Sequence, residues 1–556
     1  MEIFQPTLAP LGGVSGSALV ALAPIVTMLV TLGMLRWRAH RAGLASLLAA
    51  LLVAVLAFDM TPGLAGLSAL QGAAFGIFPI TWILLAAIWM YDVTVVSGRF
   101  EDLRSTFSLI TDDPRVLAIL IAFCFGGLLE ALAGFGAPVA ITSVMLVAVG
   151  FAPLRSALTV LLANTAPVAF GAIATPIIMA GNVSGLDYER IGAFVGRQTS
   201  ILAFLVPILI LLLVDGRRGL RQAWPAAVTI GAVFAAAKWI TSSYVSVELT
   251  DVIASLLGIA AGVVLMRYWK PAGSAEARVR AGLPMEGEPP TTLGVQEHAP
   301  AVASNLTAGR IWMALLPYVL VVAVFSLVNL VEPFRAAIAS TDIVFGWPGL
   351  SGNVLDTAGE PVARTTSELG LLSSPGTLLA LVALATAVIY RVPMRHTLSS
   401  LGRNASRMRF TALTIASVVA LAYVMDFSGQ TLTIGTWIAG TGAFFVYLSP
   451  VLGWIGTYVT GSDTTANALF GGLQATVGAQ IGVDPYLTVS ANASGGVLGK
   501  MISPQNLVIA ATSVGLGGHE SVILRRIIGW SLGLLVFLCV MVGLMATPVL
   551  GWLLPA

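Results

Sequence analysis

Long apolar runs, separated by short polar stretches, make up most of the chain. The runs are about 17–25 residues long, which is the length that a helix needs to cross a bilayer. We therefore predict an all-α polytopic membrane protein with about 12–16 transmembrane or re-entrant helices. About 16 candidate segments lie near residues 14–35, 43–60, 68–98, 116–136, 137–152, 156–181, 198–214, 223–243, 250–268, 310–330, 376–390, 410–427, 433–460, 465–482, 486–510 and 527–550.

Composition supports a membrane protein. Of 556 residues, 57% are hydrophobic and only 10% are charged, whereas a soluble domain carries about 25% charged residues. Mean hydropathy is +0.93. The net charge of +2 provides no basic field for nucleic acid.

The two cysteines, Cys124 and Cys539, both lie inside apolar runs and predict no disulfide framework or metal site. The start, MEIFQPTLAP, lacks the positive region of a cleavable signal peptide, so the first apolar run is predicted to be a retained helix.

Arginine positions predict the orientation of the helices, because cytoplasmic loops of membrane proteins are enriched in Lys and Arg. The stretch 269–309 is rich in Pro, Gly and charge, and is predicted to be a cytoplasmic linker. The mixed stretch 331–372 is predicted to be an external loop or a surface-lying helix. With an external N-terminus, five clusters are predicted to be cytoplasmic: Arg36/Arg38/Arg41, Arg99/Arg104, Arg217/Arg218/Arg221, Arg391/Arg395/Arg403/Arg407/Arg409 and Arg525/Arg526.

Charged residues are rare in two stretches, 116–186 and 410–519. A charge at the centre of a membrane helix costs about 2.5–3.5 kcal/mol, so it persists where it faces a cavity, a partner or an interface. Glu130 lies about 14 residues into its segment, roughly 21 Å along a helix, and Lys500 lies at a similar depth. The alternatives are a structural hydrogen-bonded carboxyl for Glu130 and a snorkelling stem for Lys500. The charged residues of the two stretches are Glu130, Arg155, Asp426, Asp463, Asp484 and Lys500.

Helix-breaking residues concentrate in the same two stretches, and the stretches match each other. Broken helices survive at membrane depth only inside protein or along a water-filled cavity. The pattern N-x6-G-x3-T-P at 164–176 recurs as N-x6-G-x3-S-P at 492–504, and the break Gly134–Pro138 falls opposite Gly461–Thr465. The matched elements are an odd number of predicted crossings apart, which makes the second copy inverted. Inverted repeats with broken helices near the midplane are typical of secondary transporters. Chance similarity in Gly- and Ala-rich apolar sequence is the alternative.

The predicted organisation has five parts. They are N-terminal helices at 1–115, a first transport repeat with following helices at 116–268, the linker at 269–309, middle helices with an external loop at 310–409, and a second transport repeat at 410–556.

The motifs also resemble a known family. EALAGFGAPVAI (130–141), NTAPVAFGAIATP (164–176), GSDTTANALF (461–470) and GKMISPQ (499–505) look like signature stretches of the L-lactate permease family. The resemblance is strongest at 116–186 and 450–518 and weak at 269–309 and 331–372. It implies proton-coupled uptake of small 2-hydroxymonocarboxylates, which are lactate of either hand and glycolate, across a bacterial inner membrane. A sodium-coupled carrier of another small organic anion is the alternative.

A 2-hydroxy acid offers a carboxylate and a neighbouring hydroxyl group. Helix N-termini at the breaks would suit the carboxylate, and Asn side chains can both donate and accept. Lys500, whose counterpart in the first copy is Ala172, is expected either to bind the substrate charge or to pair with Asp463 until substrate arrives. The predicted substrate-binding residues are Gly134, Phe135, Gly136, Asn164, Thr165, Thr175, Ser462, Thr464, Thr465, Asn492, Ser494, Lys500, Ser503 and Gln505.

Proton coupling requires a carboxyl group that takes up a proton inside the membrane, and an apolar setting favours the neutral form. Glu130, flanked by Leu129, Ala131 and Leu132, is the first candidate and Asp463 the second. We predict no enzyme activity, cofactor or metal, because the chain has no P-loop and its four histidines form no H-E-x-x-H pair. The oligomeric state is not predicted.

Overall fold

The computed structural model describes residues 3–107, 110–132, 134, 136–281, 307–357 and 359–555. In this part of the chain, ten helices are long and apolar enough to cross a membrane. The helices Pro153–Ala163 and Val168–Ser184 meet at an angle of 66°, and counting this bent pair as one span brings the number to eleven. The predicted all-α polytopic class is confirmed. Most of the predicted linker lies outside the described residues.

The first helices form a layer beside the predicted repeats. Two stretches of wider, π-helical turn, Val30–Met34 and Gly76–Thr81, continue helices of this layer. The helices are α1 (Val14–Ala21), α2 (Ala23–Leu29), α3 (Ala39–Leu56), α4 (Pro62–Phe75), α5 (Trp82–Val96) and α6 (Arg99–Thr106).

Residues 114–281 contain the first predicted repeat and the helices after it. A π-helical stretch, Ile119–Phe125, joins the first two helices into one rod. The long helix α12 breaks at Gly216 (φ 62°), so the predicted segments 198–214 and 223–243 are its two halves. The helices are α7 (Pro114–Ala118), α8 (Gly126–Leu132), α9 (Ala137–Val149), α10 (Pro153–Ala163), α11 (Gly171–Ser184), α12 (Tyr188–Tyr244), α13 (Thr250–Tyr268) and α14 (Ser274–Ala281).

Residues 307–555 contain the middle helices, a small sheet and the second predicted repeat. The two strands are antiparallel, with Ile343 opposite Leu369. The elements are α15 (Ala308–Leu330), α16 (Glu332–Ala339), β1 (Ile343–Gly346), β2 (Thr366–Leu369), α17 (Pro375–Ile389), α18 (Met394–Phe427), α19 (Gln430–Ala439), α20 (Phe445–Thr460), α21 (Asp463–Gln480), α22 (Pro485–Lys500), α23 (Pro504–Ser513) and α24 (Glu520–Met545).

The stretch predicted to be an external loop or surface helix folds as both helix and sheet. Helix α16 has no buried residue and leads into the two-stranded sheet. The N-terminal segment joins this layer, because Phe4 N–H donates to the Asn353 carbonyl at 2.8 Å. Its external position stays a prediction.

Helices α7–α9 form a hairpin, called here the first hairpin, whose two arms begin and end near the break in the middle of α12. At its start, Arg115 lies 3.4 Å from Asp215, beside the break of α12. At its end, Arg155, just after the hairpin, donates to the Arg280 carbonyl at 3.2 Å, and Arg280 also binds Asp215. The rod of α7 and α8 is buried inside the protein along its length, as an irregular segment at membrane depth must be.

Helices α20 and α21 form the second hairpin, which lies at the N-terminal end of α12. Asp484, just after this hairpin, lies 4.0 Å from Arg190, near the start of α12. The break of α12 is about 40 Å further along the helix at 1.5 Å per residue. The two hairpins therefore enter the protein from opposite ends. The segments predicted at 137–152 and 465–482 form the second arms of these two hairpins, α9 and α21.

The two copies also pack against each other in a reciprocal way. Helix α9, the second arm of the first hairpin, packs against α23, and α21, the second arm of the second hairpin, packs against α11. Exchanging the two copies converts one of these contacts into the other. A two-fold relation between inverted repeats would produce this pattern.

Candidate functional site

The two copies bring a carboxylate and an ammonium group together. Glu130 lies in α8 and Lys500 is the last residue of α22, and both are buried, with 1% and 7% of their surface exposed. The Lys500 Nζ atom lies 2.5 Å from Glu130 Oε1. Asn164, at the end of α10, donates from Nδ2 to Glu130 Oε2 at 2.9 Å. Each oxygen of the carboxylate therefore has a partner, one from each copy.

Matching breaks in the helices create this site. In the first copy, the backbone of Ala172, Ile173 and Ala174 is left-handed, with φ of 44°, 54° and 56°. The helix resumes at Thr175, whose hydroxyl donates to the Ala172 carbonyl at 2.5 Å. In the second copy, the hydroxyl of Ser503 donates to the Lys500 carbonyl at 3.1 Å. These pairs occupy matching places in the two sequence patterns, so the same hydrogen bond recurs at both breaks.

Glycine residues allow the backbone to approach the charged pair. A Cβ atom on Gly171 would lie 3.0 Å from Glu130 Oε1. Gly134, which lies between α8 and α9, has φ of 53°, a conformation that glycine adopts readily. A side chain at Gly171 would crowd the carboxylate. The neighbouring Phe135, also a predicted binding residue, lies outside the described residues.

The pair faces a small cavity between the copies, called here the central cavity. Its volume is about 30 Å³, which is room for about two water molecules. Six predicted positions contribute to its wall, and α5 adds an apolar side chain that the sequence did not indicate. The lining residues are Leu84, Glu130, Gly134, Val168, Gly171, Ala172, Pro176, Gly461, Ser462, Asp463, Thr464 and Lys500.

Asp463 is a second buried carboxyl group in the wall of the central cavity. It is the first residue of α21, and the Ser462 hydroxyl accepts from Thr465 N–H to cap this helix. The Thr457 hydroxyl donates to Asp463 Oδ1 at 3.4 Å, and Oδ2 has no hydrogen-bond partner among the described residues. Lys500 was expected to pair with Asp463 or to bind substrate. The structure pairs it with Glu130.

A larger cavity of about 190 Å³, called here the vestibule, lies on the other side of Gly461 and Ser462. It is next to the stacked rings of His40 and Phe410, close to the arginine clusters of α3 and α18. Gln505 lines the vestibule and is exposed, so it does not belong to the central cavity. The lining residues are Ala39, His40, Phe410, Thr411, Thr414, Ile415, Thr460, Gly461, Ser462, Thr465 and Gln505.

Other predicted binding residues make structural contacts away from the central cavity. Asn492 lies within α22 and donates to Asn467 Oδ1 at 2.9 Å. Ser494 donates to Gln198 at 2.6 Å, and the Thr165 hydroxyl donates to the Leu162 carbonyl at 2.6 Å. A Cβ atom on Gly136 would meet the Ile509 side chain in α23. These contacts hold the helices around the site without facing its space.

A second buried ion pair, which the predicted site residues do not include, lies next to the site. Lys238 in α12 lies 2.8 Å from Asp251 in α13, and both side chains are fully buried. The scarcity of charge in apolar runs points to Lys238, which lies inside the predicted segment 223–243, whereas Asp251 lies at the edge of the predicted segment 250–268.

Broken helices that meet around buried charges between two inverted hairpins define a membrane transport protein of the secondary-carrier type. The chain belongs to the L-lactate permease family, whose family model matches residues 17–549. Its relatives are bacterial, and the protein is a multi-pass protein of the bacterial plasma membrane.

Curated relatives match almost the whole chain. The glycolate permease of Escherichia coli K12 is 39% identical over 94% of both chains. The L-lactate permease of Bacillus subtilis is 38% identical over 98% of this chain and 99% of its own. The L-lactate permease of Escherichia coli K12 is 36% identical over the full length of both. The solved structure of the YdaH transporter of Alcanivorax borkumensis covers 85% of this chain and 86% of its own at 12% identity and a TM-score of 0.43.

Proposed function

We propose that the chain is a secondary transporter that imports L-lactate together with protons, and that it also accepts D-lactate and glycolate. The Glu130–Lys500 ion pair in the central cavity carries this proposal. The names of the relatives, L-lactate permease and glycolate permease, support the substrate class.

The ion pair provides a route to proton coupling. A substrate carboxylate that binds the ammonium group of Lys500 must displace Glu130. An unpaired carboxylate in a buried site is costly, so Glu130 leaves Lys500 as the neutral acid, after binding one proton. In the empty site the ion pair contributes one negative and one positive charge, and Asp463 is taken to keep the same charge state throughout the cycle. The loaded site contains the Lys500 ammonium, the substrate carboxylate and a neutral Glu130, so its net charge is again zero.

This charge balance suits movement within a membrane. In both forms that reorient, the charges of Glu130, Lys500 and the substrate sum to zero, which minimises the cost of burial. One proton then accompanies each substrate anion, and transport does not move net charge. When Glu130 releases its proton on the far side, it competes with the substrate for Lys500 and favours release.

The hydroxyl group of the substrate finds partners on the hairpins. Ser462 and Thr464 of the second hairpin border the central cavity, and Asn164 contacts it only through Glu130, to which its amide donates. The cavity is smaller than a 2-hydroxy acid, so loading requires the hairpins to separate from α11 and α22. Asp463, with one carboxylate oxygen unpaired, is the second candidate for binding a proton or the substrate hydroxyl.

The alternative coupling ion is sodium, which would bind carbonyl oxygens freed by the breaks. Several of these carbonyls already accept internal hydrogen bonds. The Ala172 carbonyl accepts from Thr175, the Lys500 carbonyl accepts from Ser503 and Asn506, and the Pro176 carbonyl accepts from Asn467. This arrangement favours protons over sodium.

The test is uptake of labelled L-lactate into proteoliposomes, with an inward proton gradient compared with an inward sodium gradient. We expect uphill uptake with the proton gradient alone, and no change when a potassium–valinomycin clamp sets the membrane potential. Uptake driven by sodium alone would contradict proton coupling. Failure of both gradients would contradict the substrate assignment, and D-lactate, glycolate and other small organic anions would then be compared.

A further inference from the structure

A second pair of opposite charges is buried beside the first break. Lys238 places its Nζ atom 2.8 Å from Asp251 Oδ1, and neither side chain is exposed to solvent. Burying two charges is unfavourable unless close geometry compensates for lost hydration. The transport cycle proposed above gives this pair no role.

Lys238 reaches into the turn that joins α10 to α11. Its Nζ atom donates to the Ala166 carbonyl at 2.7 Å, and the ammonium lies 4.6 Å from the centre of the Phe170 ring. The turn follows the C-terminal end of α10, where unpaired carbonyl groups carry partial negative charge. A cation at this place stabilises the end of the helix and fixes the course of the turn.

The same turn holds the carboxylate of the central cavity. Asn164 is its first residue, and its side chain donates to Glu130 Oε2 at 2.9 Å. A chain of direct contacts therefore connects Asp251, Lys238, the turn 164–170 and Glu130. Asp251 belongs to α13, and α13 also packs against α8, the helix that contains Glu130.

Stability alone does not account for the pair. Asp251 Oδ2 is buried without a hydrogen-bond partner among the described residues, and a buried ion pair is often replaced by apolar side chains without loss of stability. Both breaks share a hydroxyl bond, from Thr175 to the Ala172 carbonyl and from Ser503 to the Lys500 carbonyl. At the second break, the Lys500 carbonyl also accepts from Asn506 Nδ2 at 3.0 Å. The turn before the first break is instead held by charges supplied from α12 and α13.

We infer that Lys238 and Asp251 are positioning residues that hold the turn 164–170 so that Asn164 keeps Glu130 in place for proton exchange. This inference rests on the proposed function. The charged groups around Glu130 are Lys500 at the end of α22, Asp463 at the start of α21 and Asp251 on α13. Lys238 is separated from Glu130 by the turn and acts through it.

The test replaces the ion pair with apolar side chains, Lys238→Met together with Asp251→Leu, which leaves no unpaired charge. The variant is reconstituted after a thermal melt has shown that it is folded, and exchange of labelled L-lactate is measured over a pH series. We expect the lactate concentration that gives half-maximal exchange to rise about tenfold. Removing a residue that supports a metal ligand has an effect of about this size at the lower end of its range, and Lys238 and Asp251 support Glu130 in a comparable way. We also expect the pH profile to be displaced. An unchanged half-saturation concentration and an unchanged pH profile would overturn the inference.

A double-mutant comparison tests whether the pair acts through Asn164. Asn164→Ala should displace the pH profile by itself. Adding the Lys238 and Asp251 replacements should then change little, because residues that act through one contact are not additive. A further displacement of the pH profile, equal to that caused by the pair replacement alone, would show that Lys238 and Asp251 do not act through Asn164, and would overturn the inference.

Phe170→Leu provides a milder variant if the pair replacement does not fold. It removes the ring beneath Lys238 and should displace the pH profile in the same direction by a smaller amount. A profile identical to that of the unmodified protein would count against the inference. The unmodified protein separates the two hypotheses. If it lacks proton-driven uptake, the proposed function fails. If it accumulates lactate and all variants keep its half-saturation concentration and pH profile, only the positioning role fails.

Discussion

Glu130 and Lys500 are 370 positions apart in the chain, and their side chains meet at 2.5 Å between the two breaks. Glu130 belongs to the hairpin of the first copy and Lys500 to the broken helix of the second. The contact therefore closes the space between the copies when no substrate carboxylate is present. Any movement that opens the central cavity must separate these charges or neutralise one of them.

Glu130→Gln should separate exchange from accumulation. Glutamine imitates the protonated acid, so substrate can still bind Lys500, but the empty carrier is left with an uncompensated positive charge. We expect exchange of external for internal L-lactate to continue and proton-driven accumulation to be lost. Glu332→Gln, at an exposed position on α16, is the matched control and should accumulate lactate normally. Uphill uptake by Glu130→Gln would remove Glu130 from the coupling role.

Removing either partner of the ion pair should destabilise the protein more than removing both. Lys500→Met leaves a buried carboxylate and Glu130→Gln leaves a buried ammonium, and breaking a buried pair in this way costs about 3–5 kcal/mol. We expect the double variant to melt at a higher temperature than either single variant, although it should not bind lactate. Thermal unfolding of the three purified proteins measures the order. Additive losses in the double variant would show that the two groups do not interact.

Asp463→Asn should weaken both substrate binding and coupling. The carboxyl group lies in the wall of the central cavity, and one of its oxygens lacks a partner in the described part of the protein. We expect a higher half-saturation concentration for lactate exchange and reduced accumulation. Asp484→Asn is the control, since asparagine still caps α22. Substrate affinity equal to that of the unmodified protein would contradict a role for Asp463 in binding.

Gly496→Ala should damage the site without changing its charge. A Cβ atom at this position would lie 1.9 Å from Asp463 Oδ1 and 2.6 Å from the hydroxyl of Thr457. The helices must shift to accept it, and overpacking of this kind typically costs about 1–3 kcal/mol. Gly529→Ala on α24, where a Cβ atom meets open space, should transport normally. Normal transport by Gly496→Ala would contradict the close packing of α22 against the second hairpin.

Cysteine labelling should reveal the side from which the vestibule opens. Thr414 lines the vestibule, near the arginine clusters that are predicted to be cytoplasmic. We expect a membrane-impermeant thiol reagent to modify Thr414→Cys from the cytoplasmic side and to leave Thr464→Cys, in the central cavity, largely unmodified. The unmodified protein controls for Cys124 and Cys539. Labelling of Thr414→Cys from outside alone would reverse the assigned orientation.

The apolar periodicity was sufficient to predict the class of fold and most helix positions. The hydrocarbon core of a membrane accepts long apolar helices and few other structures, so the local sequence is enough to predict them. The breaks were also visible, because proline and glycine disrupt a helix wherever they stand. Hairpin arms and true crossings have similar composition, however. The sequence alone could not distinguish the arms α9 and α21 from spanning helices.

The sequence by itself determined that Glu130, Asp463 and Lys500 are buried charges beside matching breaks, because an isolated charge in an apolar run must find a partner. Only the tertiary structure decided the pairing. Lys500 pairs with Glu130 instead of Asp463, which is nearer in the sequence. Asn492 and Ser494 bind neighbouring helices and do not face the central cavity. Partner choice depends on how two distant hairpins pack against the broken helices, and that geometry is a property of the assembled core, which no local pattern contains.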